Sequence, residues 1–181
     1  MSFTLIALAI GLVIALALGG RPRHLASRHF RLWWLLPAGV LLQALLERSG
    51  VPGAFGLLLV SYACLLAFGL ANLRITGMWL VVLGFGLNAL VIAVDHGMPV
   101  SRSALRSLHT APTVHEVKHH VADDSDHLRF LSDIIPVPPI DEVLSFGDLI
   151  LAVGICDVLV HLMRPARHRA RGSAKAPAGQ N

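Results

Sequence analysis

Charge is scarce in this chain, and so are cysteine and aromatic residues. Lys, Arg, Asp and Glu make up 14% of the 181 residues, where an ordinary soluble domain carries about 25%. A soluble fold of this length would have too little polar surface to cover its core. The two cysteines, Cys64 and Cys156, sit in separate apolar stretches without a CxxC pair. That excludes a disulfide framework, and both read as small buried residues. No repeat of solenoid period and no convincing inverted repeat is present. The "GFG" at 84–86 neither follows a strand nor opens a helix, so it reads as close helix packing and not as a phosphate loop.

What remains is apolar. Hydrophobic residues make up 55% of the chain, with a mean hydropathy of +0.67. They come in blocks and not in a 3.6 or 2.0 period, which is the membrane pattern. The blocks cover residues 3–19, 32–46, 53–71, 78–94 and 143–163. Crossing the hydrocarbon takes about 20 helical residues, with ~17 near the lower limit. Block two is short and holds Pro37; it spans only if Trp33 and Trp34 sit at headgroup level. The leading "MSFT" has no positive charge and "RPRHLASRHFR" follows the first block, so no cleavable signal peptide is expected. The expected fold is an all-α integral membrane protein of about five transmembrane helices.

Arginine placement sets the expected orientation. With the N-terminus outside, the cytoplasmic segments hold ten Lys and Arg residues and the outer segments five. That is N-out/C-in by the positive-inside rule. The division is then helices one to four over 1–94, one long extracytoplasmic loop over 95–142, a fifth helix over 143–164 and a disordered basic tail over 165–181. The expected location is the cell inner membrane, with anionic headgroups at the cytoplasmic Arg clusters as partners and another membrane protein as a further one. No nucleic-acid surface is expected. The loop carries eight acidic against four basic residues. Short helices on the outer face and an extended Pro run ("PVPP") are expected within it.

Two constellations carry potential chemistry. In "VHEVKHHVADDSDH", residues 114–127, His115, His119, His120, Asp123 and His127 supply N and O ligands for a divalent metal. The loop holds six of the ten histidines, and a solvated polar loop that binds metal only weakly is the plainer reading. HEVKH also has the His115, Glu116, His119 spacing of a zinc metallopeptidase. Against it stand Lys118 inside the motif and the failure of the H-x-x-G-x-x-H continuation at Ala122 and Ser125.

The second constellation lies inside the blocks. Gln43, Asn88 and Asp148 each fall roughly 6–10 Å from the outer ends, at a matched depth. Asp157 and His161 share one helix face at i, i+4, about 180° from Asp148. An intramembrane acid is a functional candidate by default; an interhelical hydrogen bond or a simple pair explains these residues equally. Two readings of Asp148 stand. It completes a capping box with Ser145 if the last helix starts there, or it is a true intramembrane acid if the helix starts near Asp141. Tyr62, mid-block, reads as packing.

"HGMPVS", "LRFLSDIIPVPP" and "VLSFGDLILAVGI" resemble a bacterial family of small multi-pass membrane proteins, the domain-of-unknown-function family 5317. The sharpest marks are Met98-Pro99, Asp133 with Pro136, and Ser145-x-Gly147-Asp148. The resemblance runs from the first block to His161. It implies about five membrane helices and no established activity, and it carries over no functional residues. HEVKH lies outside the family's pattern. The expected function is therefore a non-catalytic scaffold or sensor whose outer loop covers a polar cavity and binds a partner or ligand. A small transporter or metal-handling protein is the alternative, and a membrane zinc metallopeptidase the more distant one.

Overall fold

The computed structural model describes residues 2–26, 28–46, 54–108, 119–123 and 126–164. Apolar helices dominate it. α1 (Ser2–Ala17) is followed by the short α2 (Pro22–Ala26), then α3 (Leu35–Leu46), α4 (Ala54–Ala71) and α5 (Met78–Asp95). α6 (Arg102–Arg106) belongs to the intervening segment, and α7 (Phe146–Met163) ends the described chain. α4, α5 and α7, 18 residues each, are long and apolar enough to cross a membrane. The five blocks thus yield three helices of spanning length. α1 and α3 are shorter, with 16 and 12 residues. Pro37 lies in the first turn of α3, where its missing N–H needs no helical partner. The helices' outward faces are apolar, including Leu5, Val13, Leu41, Val60, Trp79, Leu90 and Val153. A soluble monomer rarely exposes so much, and a membrane protein is the fold class this fits.

Helix ends alternate between two poles. The Phe3 N–H donates to Glu142 Oε2 at 3.0 Å, and the Arg21 N–H donates to the Met163 carbonyl at 2.8 Å. α1 therefore runs parallel to α7. α5 runs antiparallel to α7, because Asn88 meets Asp148 near one end and Gly77 meets Asp157 near the other. At that second pole Asn72, just past α4, clasps the backbone of Arg31 just before α3.

Small residues decide how close α5 and α7 come. Gly77 and Gly84 on one side, Gly147 and Gly154 on the other, are each spaced by seven, which keeps them on one helix face. A Cβ on Gly84 would lie 2.7 Å from both the Gly147 carbonyl oxygen and the Leu151 nitrogen, and one on Gly154 would lie 2.7 Å from the Val81 nitrogen. Gly86 has open room, its Cβ reaching only Leu66 at 4.0 Å. Close packing thus holds for Gly84 and not for Gly86. Gly77 also needs its glycine for conformation, with φ 87 in the turn before α5.

Short strands, absent from the sequence reading, organise the segment over the first pole. β1 (Met98–Val100) pairs parallel with β2 (His119–Val121), and β3 (Ile135–Val137) pairs antiparallel with β4 (Glu142–Leu144). Asp133 joins them: its N–H donates to the Pro99 carbonyl at 3.0 Å, and its carbonyl accepts the Ser101 N–H at 2.9 Å. Among the described residues of this segment one short α-helix, α6, is present; the Pro run is a strand followed by a 3-10 turn at Pro138–Ile140. This cap is docked from below. At the end of α5 the Asp95 carboxylate, inaccessible to solvent, accepts the His127 and Leu128 N–H groups at 2.8 and 3.1 Å. Leu128 and Leu131 then pack on the cluster of Leu58, Tyr62, Val91, Ile92 and Met98.

Candidate functional site

α7 starts at Phe146, with Ser145 as its N-cap, so the capping-box reading of Asp148 holds and the earlier start near Asp141 does not. The Ser145 hydroxyl accepts the Asp148 N–H at 3.1 Å, and Asp148 Oδ2 accepts the Ser145 N–H at 3.0 Å. The box is tied to the neighbouring helix. Asn88 Nδ2 donates to Asp148 Oδ1 at 2.8 Å. The Ser145 hydroxyl lies 3.0 Å from Asn88 Oδ1 and 2.9 Å from Asp148 Oδ2, and donates its single proton to one of them. Ser145 and Asn88 are buried. Gly147 makes room for this: a Cβ there would overlap Asn88 Oδ1. The carboxylate also stands in the first turn, where the helix dipole favours negative charge. Chemically the group is a closed hydrogen-bonded staple between α5 and α7.

Gln43 does not join it. α3 packs mainly on α4, and Gln43 Nε2 is buried with no hydrogen-bond partner. Matched depth put Gln43 at the right level but on the wrong side of the bundle. Asp157 and His161 do meet: His161 Nδ1 lies 2.9 Å from Asp157 Oδ1 and 2.9 Å from the Asp157 carbonyl oxygen. This pair sits near the second pole, apart from Asp148, with Asp157 beside Gly77.

Three described histidines of the cap go to separate carboxylates. His119 Nε2 lies 3.4 Å from Asp133, His120 Nε2 2.8 Å from Asp126, and His127 Nδ1 3.5 Å from Asp95. β2 is the physical reason for the first two, since successive strand residues point to opposite faces. Asp126 also accepts the Asp123 N–H at 2.8 Å. Among the described residues no three His, Cys, Asp or Glu side chains converge as a metal cluster would. His115 and Glu116 lie outside the described residues.

The sequence reading missed a cleft in the cap. It has a volume of about 440 Å³ and is lined by Ser101, Arg102, Ser103, Asp123, Arg129 and Ser132. Ser101 Oγ and Ser103 Oγ lie 2.8 Å apart, and the Ser132 hydroxyl donates to the Arg129 carbonyl at 2.5 Å. Two arginines in a loop of net negative charge were the one available signal.

With this geometry in hand, residues 27–160 match the family described as a family of unknown function, DUF5317. The chain belongs to DUF5317. No curated protein and no solved structure matches it. The marks that carried the resemblance to DUF5317 fall in the cap strands and in the α5–α7 staple. Met98-Pro99 is β1, Asp133 bridges to it, Pro136 is in β3, and Ser145-x-Gly147-Asp148 is the staple.

Proposed function

We propose that this chain is a five-pass membrane protein, N-terminus out and C-terminus in, whose cap binds a small polar solute with an acidic group. On this reading it is a non-catalytic sensor or scaffold. The observation that carries it is the cap cleft, where Arg102 and Arg129 stand with three serine hydroxyls and one carboxylate, Asp123, leaving a net positive lining. Guanidinium groups suit carboxylate and phosphate oxygens, and hydroxyls add orientation. The cleft rests on a layer clamped by Asp95 and Asp133, so a bound solute meets a preformed surface. Transport has less support, because Asn88 and Asp148 are already engaged in joining α5 to α7.

Charge segregation supports the topology. Arg21, Arg23, Arg28, Arg31, Arg74 and Arg164 belong to the pole opposite the cap, while Asp95, Asp126, Asp133 and Glu142 lie at the cap pole. α1 and α3, at ~24 and ~18 Å by a rise of 1.5 Å per residue, cross with local bilayer thinning and Trp anchors. In a cysteine-free background, Ser103→Cys should label with an impermeant maleimide on intact cells and Thr76→Cys should not. Reversed labelling overturns the orientation. For the cleft, a panel of small carboxylates and phosphate esters should raise the thermal midpoint of the purified protein, and Arg102→Gln/Arg129→Gln should remove the shift. No shift with any of them rejects a solute cleft.

A further inference from the structure

A second cavity lies at the pole away from the cap. Its volume is about 550 Å³, and Arg31 and Leu32 form one wall while Leu70, Leu73 and Arg74 form the other. Both walls are fixed by Asn72, whose side chain is buried. Asn72 Oδ1 accepts the Arg31 N–H at 2.9 Å, and its Nδ2 donates to the carbonyls of Arg31 and Phe68, each at 2.8 Å. The Asn72 N–H takes the Gly69 carbonyl at 3.0 Å. Two terminal carbonyls of α4 are thus satisfied, which blunts the negative end of its dipole where an anion would approach. Phe30 packs on Phe68 with ring centroids 6.1 Å apart and holds the same junction. Leu32 adopts φ 52, a left-handed conformation that costs energy for a leucine. It leaves that side chain 45% exposed on the cavity wall.

The charge here is unopposed. Neither guanidinium has a carboxylate partner among the described residues, and Asp157 is the one described acid at this pole. The cavity also lies at a definite level. Trp33, Trp34 and Trp79, all more than half exposed, flank it at the start of α3 and of α5. Exposed tryptophans collect at the boundary between headgroups and hydrocarbon. A cationic mouth over three exposed leucines at that boundary is complementary to one kind of molecule, a phosphate on an acyl chain.

We propose that the cavity between Arg31 and Arg74 is a binding site for a single anionic glycerophospholipid. The two guanidinium groups hold the phosphate, and an acyl chain lies along Leu32, Leu70 and Leu73. The proposal rests on the membrane reading but not on the orientation or on the cap cleft, so it stands or falls apart from them.

The test uses the full chain in phosphatidylcholine nanodiscs and detergent micelles, with phosphatidylglycerol as the probe and retained lipid read by native mass spectrometry. One phosphatidylglycerol per chain should be retained, and Arg31→Gln/Arg74→Gln should weaken it about thirtyfold, the effect of two basic residues at an anionic surface. The pair Arg23→Gln/Arg28→Gln removes the same charge from the same pole and should weaken retention far less. Equal losses in the two pairs would mean diffuse attraction and overturn the site. So would equal retention of phosphatidylcholine, or displacement of the lipid by inorganic phosphate alone. If the double variant fails to insert, Arg74→Gln alone carries the same comparison. Failure of the wild-type chain to insert in any bilayer refutes the membrane reading instead.

Discussion

Replacing Asp148 by alanine tests the staple most directly. The carboxylate accepts from Asn88 Nδ2, the Ser145 N–H and, alternately, the Ser145 hydroxyl. Loss of an N-terminal box costs about 1 kcal/mol. An interhelical side-chain hydrogen bond in a membrane protein averages about 0.6 kcal/mol. The larger part comes from what is left behind. Ser145 is fully buried and Asn88 nearly so, and a buried donor without an acceptor costs about 1–3 kcal/mol. Asp148→Ala should therefore destabilise by about 3 kcal/mol. Asp148→Asn keeps the shape, and a flip of the Asn88 amide lets its oxygen accept from the new side chain. It should cost about 1 kcal/mol, the cap contribution alone. Combined with Asn88→Ala, the alanine variant should show a coupling of about 1–2 kcal/mol, as groups in one network do. The assay is unfolding of the purified protein in detergent micelles, followed by helical circular dichroism. Equal costs for Asp148→Ala and Asp148→Asn, or zero coupling to Asn88, would refute the reasoning.

The glycine seam and the cap give further expectations. Gly147→Ala places a Cβ over Asn88 Oδ1 and 3.0 Å from the Gly84 carbonyl oxygen, and should cost about 1–3 kcal/mol or more, as overpacking does. Gly86→Ala meets no such neighbour and should be neutral or stabilising by up to about 1 kcal/mol, from helix propensity; the same unfolding assay separates the two. Asp95→Ala should release the cap, with faster amide hydrogen exchange at His127 and Leu128 and little change in α4; unchanged exchange there would show that Leu128 and Leu131 alone hold it. Zn²⁺ binding should decline stepwise as His119, His120 and His127 are each replaced by Ala, because each sits over its own aspartate. Complete loss on any one replacement would reveal a convergent site.

The membrane helices and the Asn88–Asp148 contact were legible from sequence because the rules behind them are local. An apolar block of 18 residues has few alternatives to a helix, and a carboxylate set among such blocks must find a donor. Depth along a helix follows from counting residues, so Asn88 and Asp148 could be placed at one level. Azimuth and neighbour order do not follow from counting. Gln43 shares the level but lies on α3, which packs on α4, while the staple joins α5 to α7. The glycines at 77, 84, 147 and 154 held some of that missing information. Two seven-residue spacings on two helices mark the close approach of α5 and α7, whereas Gly39, four residues before Gln43, packs against Leu65 and Ser61 of α4. The cap was harder for a different reason. Its strands are three residues long, too short for any alternation to rise above chance. β1 and β2 are fixed by pairings between Pro99 and both His120 and Asp133, residues far apart in sequence. Among the described histidines, nearness in sequence is not convergence in space: a strand turns neighbours to opposite faces. Each imidazole then meets whichever buried aspartate the tertiary fold has put beneath it. A run of His and Asp is read by its backbone conformation before it is read as ligands.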